Sequence, residues 1–144
     1  MKKIVVLIAF IFLIIACNTS ENKKGNSNKS EQLVMYKPSE MALLMEGMYV
    51  SNEKLKEKII KNEDLGEFIE NFSNIHSAVL TDPNDRSSSF DAFSQAFIQN
   101  QKAIFTSSKT NVKEQFNMMV NSCVACHKTT CTGPIPKIKK LLIP

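Results

Sequence analysis

The chain of 144 residues has no tryptophan, only four glycines, four cysteines and two histidines, and a single arginine, Arg86. So few cysteines exclude a disulfide-rich scaffold. Scarce glycine, set against abundant Leu, Ile, Phe, Met and Ala, points away from an all-β architecture and toward helices. No basic stretch is interleaved with aromatics, so nothing recommends nucleic acid as a partner. The longest apolar run, residues 4–16, is short for a membrane span, which takes about 20 residues.

That run has another use. It follows the basic start Met1-Lys2-Lys3 and ends in Ile14-Ile15-Ala16-Cys17. A charged start, an apolar middle and a small residue before a cysteine have the form of a secretory signal with a bacterial lipobox. Residues 1–16 are then a signal peptide, and Cys17 is the lipidated residue. Acyl chains contribute roughly 0.8 kcal/mol per buried methylene, so two or three of them anchor a protein stably. The expected location is the exported face of the cell envelope, tethered by lipid. Asn18 after the cysteine inclines the choice to the outer membrane, because the inner-membrane retention signal is aspartate. Loss of residues 1–16 removes two lysines and lowers the formal charge from +4 to +2.

Residues 17–37 are rich in Asn, Ser, Lys and Glu and read as a flexible tether, since they bury too little apolar surface to offset their ordering. Residues 38–144 show four helical patterns and predict an all-α domain, an antiparallel four-helix bundle. The first starts at the N-cap Ser39 with Glu40 in its first turn. Met41, Leu44, Met45, Met48, Leu55, Ile59 and Ile60 follow at helical spacing to about Lys61. The second follows Asp64, with Leu65, Phe68, Ile69, Phe72, Ile75 and Val79 as its stripe. The turn signal Thr81-Asp82-Pro83-Asn84-Asp85 ends it. The third is capped near Ser88 or Ser89 and carries Phe90, Phe93, Phe97 and Ile104. The fourth follows Thr110-Asn111 and carries Val112, Phe116, Met119, Val120 and Cys123, with Gly133-Pro134 closing it. The tail, residues 135–144, is expected as a strand-like or loop segment packed back on the bundle.

The segment that carries chemistry is Cys123-Val124-Ala125-Cys126-His127. C-x-x-C-H is the attachment motif for c-type haem. Two thiols reach the two vinyl groups at one porphyrin edge, and the histidine one turn after the first cysteine projects under the ring to the iron. Two other chemistries use similar residues. A thioredoxin-type dithiol sits in a βαβ unit, and none is visible. A zinc site needs four ligands, and Cys123, Cys126, His127 and Cys131 would crowd a metal within nine residues. The predicted cofactor is one covalent haem c, held by Cys123 and Cys126 with His127 on the iron.

A four-helix pattern with C-x-x-C-H near its C-terminus resembles the cytochrome c′ family, the class II c-type cytochromes, over roughly residues 38–131. The resemblance implies a haem whose far side faces the first helix. In low-spin members a methionine of that helix binds iron; in high-spin members the position is left open. Met48 is the first choice for a sixth ligand and Met45 the second, with Met41 nearby. The implied function is electron transfer at a membrane surface between redox partner proteins, without enzymatic turnover. The alternative is a five-coordinate haem that binds nitric oxide or carbon monoxide. A small peroxidase is disfavoured, as no distal His/Arg pair is apparent. The resemblance also raises a homodimer as a possibility. Family members commonly carry arginine four residues after the haem histidine, where this chain has Cys131. That residue is expected as a buried free thiol, with an intermolecular disulfide or a further haem link as alternatives. His76, the other histidine, is expected on a helix surface, with a propionate contact or iron ligation as alternatives.

Overall fold

Serine at position 39 starts the first helix, α1 (Glu40–Lys61). Its side chain accepts a hydrogen bond from Ala42 N at 3.1 Å, satisfying an amide that has no partner in the first turn. Glu40 adds a charge of the favoured sign and also accepts from the Val79 amide. Asn62 ends α1 in the left-handed region, at φ 55°, with its amide turned back to the carbonyls of Lys58 and Ile59. Met41, Leu44, Met48, Leu55 and Ile59 are buried as the spacing predicts, while Ile60 is exposed.

The computed structural model describes residues 37–144. The expected signal peptide, Cys17 and the expected tether up to residue 36 lie outside them. The described residues cluster as one unit. Its elements, in order, are α1, a 3₁₀ segment Glu70–His76, a 3₁₀ turn Pro83–Asp85, α2 (Ser88–Thr106), α3 (Val112–His127) and a short α4 (Ile135–Lys139). No strand occurs among the described residues, so the domain is all-α. No helix among them is long and apolar enough to cross a membrane.

The second expected helix is the main departure. The stripe at residues 65–79 is realised as a single 3₁₀ segment, with Phe72 and Ile75 buried but Ile69 and Val79 exposed. Gly66 at φ +75° breaks the chain before it, and Asn71, Ser73, Asn74 and Ser77 are weak helix formers. Arg86 ties the segment down. Its guanidinium donates to the carbonyls of His76 and Ala78, both at 2.7 Å, and lies 5.0 Å from the Phe90 ring centroid.

α2 is capped by Ser87, one residue before the expected serines, through a bond from the Phe90 amide. α3 ends at His127, earlier than Gly133-Pro134. A five-residue link, 107–111, joins the two, and they pack along Phe97, Ile104, Phe116, Met119 and Val120. Phe116, Ile104, Met119 and Val120 are fully enclosed at 0% exposure and form the deepest core.

The tail does pack back, as a helical turn and not as a strand. Ile138, Leu141 and Ile143 are buried. Three polar clasps fix it. Lys56 Nζ donates to the carbonyls of Lys140 and Leu142. Asn117 both donates to and accepts from the Ile143 backbone. Lys137 pairs with Glu46 at 2.8 Å and lies over the Tyr49 ring.

Candidate functional site

Residues 123, 126 and 127 fall on the last turns of α3, where a helix brings the first and last of them to one side. That side opens on a cavity of about 590 Å³, within the roughly 300–1,000 Å³ range of cofactor sites. Cys123, Cys126 and His127 line one wall. α1 supplies another with Met41, Met45, Met48, Tyr49 and Asn52, and α2 a third with Phe90, Phe93, Ser94 and Phe97. The tail contributes Pro134, Lys137, Ile138 and Leu141. The candidate residues of the sequence, Met48 and Met45 included, therefore meet around one mainly apolar space.

The histidine is oriented by the chain that follows it. His127 Nδ1 lies 2.8 Å from the carbonyl oxygen of Cys131. A carbonyl can only accept, so Nδ1 carries the proton and Nε2 is left with a free lone pair. Such a bond fixes the tautomer and strengthens the imidazole as a ligand.

Both thiols are held protonated. Burial, with Cys126 nearby as the second cause, pushes Cys123 up to about 12. Burial likewise raises Cys126. Exchange-active dithiols depend on a lowered thiol pKa, the opposite of this environment. Nor do the cysteines assemble a zinc site: no three His, Cys, Asp or Glu side chains converge on a point among the described residues. The donor set that does line the cavity fits a covalently held porphyrin: two thiols, an imidazole with its outer nitrogen spoken for, thioether side chains on a second wall, and an apolar surround.

Cys131 is a free thiol but exposed, which corrects the expected burial. It is drawn outward because it follows the end of α3, where the chain turns to present its carbonyl to His127. His76 is exposed and lies off the cavity wall. It reaches the wall only through Ser94, 1% exposed, whose Oγ is 3.1 Å from His76 Nδ1. Ser94 gives its one proton to the Asp91 carbonyl, so His76 Nδ1 is the donor to it.

Sequence reasoning missed Ser94, Asn52 and Gln101, the three buried polar residues among those described. A signal was present. Asn52 sits between Met48 and Leu55, Ser94 between Phe90 and Phe97, and Gln101 between Phe97 and Ile104, each in register with an apolar stripe. A polar residue in stripe register needs a buried partner.

Comparison with family models, with curated proteins and with solved structures finds no match to this chain.

Proposed function

We propose that the protein is an exported, lipid-anchored monohaem c-type cytochrome that passes single electrons between redox proteins at a membrane surface. One observation carries the reading: Cys123, Cys126 and His127 share the wall of a large apolar cavity with the methionines of α1. Cys123 and Cys126 would hold haem c through thioether bonds, and His127 Nε2 would take the iron. Met48, buried at 5% exposure, is the favoured sixth ligand, with the half-buried Met45 as its alternative.

A haem in this place would supply one-electron chemistry, with a thioether ligand favouring the reduced state relative to harder donors. The rest is the work of the chain. Phe90, Phe93 and Phe97 keep water from one face, and the Cys131 carbonyl holds the imidazole at one angle. A site fixed by packing from several elements changes little on gain or loss of an electron, which suits transfer. The finer architecture proposed is a cytochrome c′-like antiparallel bundle in which the second helix is reduced to the 3₁₀ segment. Cys17 would carry the lipid, and residues 17–37 would act as the tether.

The test is a pyridine haemochrome spectrum and an intact mass on the lipoprotein matured in an exporting host. A haem-sized mass that survives denaturation is expected; a colourless product would end the reading. Ferric protein should then show the near-infrared sulfur-to-iron band. If that band is missing and ferrous protein takes up carbon monoxide at once, the function is gas binding and not electron transfer.

A further inference from the structure

Behind the wall formed by α1 and α2 lies a second cavity, of about 290 Å³, and Asn52 lines both spaces. Gln101, Leu55, Leu65, Phe72 and Phe105 line only the second. Asn52 and Gln101 are 3% and 1% exposed, and their hydrogen bond joins α1 to α2 at the partition.

The orientation of both amides is forced. The Met48 carbonyl can only accept, so Asn52 must turn Nδ2 to it, at 3.0 Å. Asn52 Oδ1 then faces Gln101, which must present Nε2, also at 3.0 Å. Exchanging the atoms of Gln101 alone would set two acceptors against each other. Exchanging them in both residues would set Asn52 Oδ1 against the Met48 carbonyl. Gln101 Oε1 is therefore left over. It is buried and has no hydrogen-bond partner among the described residues.

A buried amide oxygen in that position calls for a donor. The second cavity has room for one, since a water takes about 30 Å³ of liquid volume. Ser51, Lys54 and Glu67 on the same wall offer the further polar partners that a bound water needs. Lys58, half-buried on the same lining, is turned to the Leu65 carbonyl at 3.5 Å, and Lys54 and Glu67 are exposed, so a neutral donor suffices at Gln101.

We propose that the second cavity is a hydrogen-bond-donor site, filled by water anchored on Gln101 Oε1, which braces the turn of α1 that carries Met48. The chain of bonds runs from water to Gln101, to Asn52, to the Met48 carbonyl. Gln101 and Asn52 are thus positioning residues for the sixth-side methionine. That last role rests on the haem reading given above; the water does not.

The experiment has two parts. A crystal structure of the haem-loaded full chain, at a resolution that shows solvent, should place a water roughly 2.7–3.2 Å from Gln101 Oε1. A dry Oε1, or one bonded to a protein donor, overturns the proposal by itself, whether or not any variant folds. Gln101→Met keeps length and apolar bulk but removes both the acceptor and the bridge. It should lose the water, shift the near-infrared band and speed carbon monoxide uptake by ferrous protein about three- to tenfold, the equivalent of one hydrogen bond. A retained water, or a lost water with unchanged band and uptake rate, refutes the bracing. A colourless wild-type protein would end the haem reading alone, and the water could still be sought in its crystals.

Discussion

The thiol of Cys123 is protonated in the folded chain well above the pH at which a free thiol ionises, because burial, and after it the nearness of Cys126, raises it from 9.0 to about 12. A raised folded-state value contributes stability that is complete below the unfolded value and is lost as pH rises through the window between the two. Haem-free protein should therefore lose stability between pH 9 and 12 more steeply than Cys123→Ala. Thermal unfolding across that window, read as the difference between the two proteins, checks it. Haem-loaded protein should lack this difference, because a thioether sulfur has no proton to lose. On the other wall, Met48→Ala should abolish the near-infrared band and open ferrous protein to carbon monoxide, while Met45→Ala should leave both nearly unchanged. The reverse pattern would make Met45 the ligand. In the haem-loaded protein Met48→Ala should cost about 2–5 kcal/mol, and truncation of the half-buried Met45 less.

At the scale of elements, the helix starts carry stability that a single substitution can measure. Ser39 caps α1 and also meets the Thr81 hydroxyl at 2.9 Å. Ser39→Ala should cost about 0.5–2 kcal/mol in a denaturant titration. The extent of α1 could be read in the sequence because a cap, a stripe and a last turn rich in lysine agree with one another. α2 is legible from its stripe and a serine cap, to within a residue, and α3 from its stripe alone, with its end placed six residues too late. The segment at 65–79 was not, although Phe68, Phe72 and Ile75 have helical spacing. Spacing tells which side chains share a face, and a short 3₁₀ run also buries residues three apart. What decided the outcome was backbone preference: Gly66 at positive φ, and a run of Asn and Ser whose side chains compete for backbone bonds. The tail packs back as expected but opens with a helical turn in place of a strand or loop, since proline is well tolerated in the first turn of a helix.

Over the whole domain, the motif in the sequence points to a chemistry for one wall only. The other walls come from α1, α2 and the tail, and their convergence depends on contacts between residues far apart in the chain. Asn52 meeting Gln101, and Lys56 meeting Lys140, have no local signature. The tail shows how much depends on such contacts. A chain ending at Thr132 keeps Cys123, Cys126 and His127 but gives up the burial of Ile138, Leu141 and Ile143. Each contributes at most about 1.5–3 kcal/mol, against a total of about 5–15 kcal/mol for a domain. The truncated protein is expected to attach haem but to unfold without a cooperative transition when haem-free, as followed by circular dichroism.

The clasp from Lys56 to the carbonyls of Lys140 and Leu142 joins the first helix to residues more than eighty positions later. In a polypeptide emerging N-terminus first, Lys140 and Leu142 follow α1, α2 and α3, so the clasp forms after the other walls of the cavity. On the haem reading proposed above, the two cysteines and the histidine would be free to take a porphyrin from the open side before that last wall is laid.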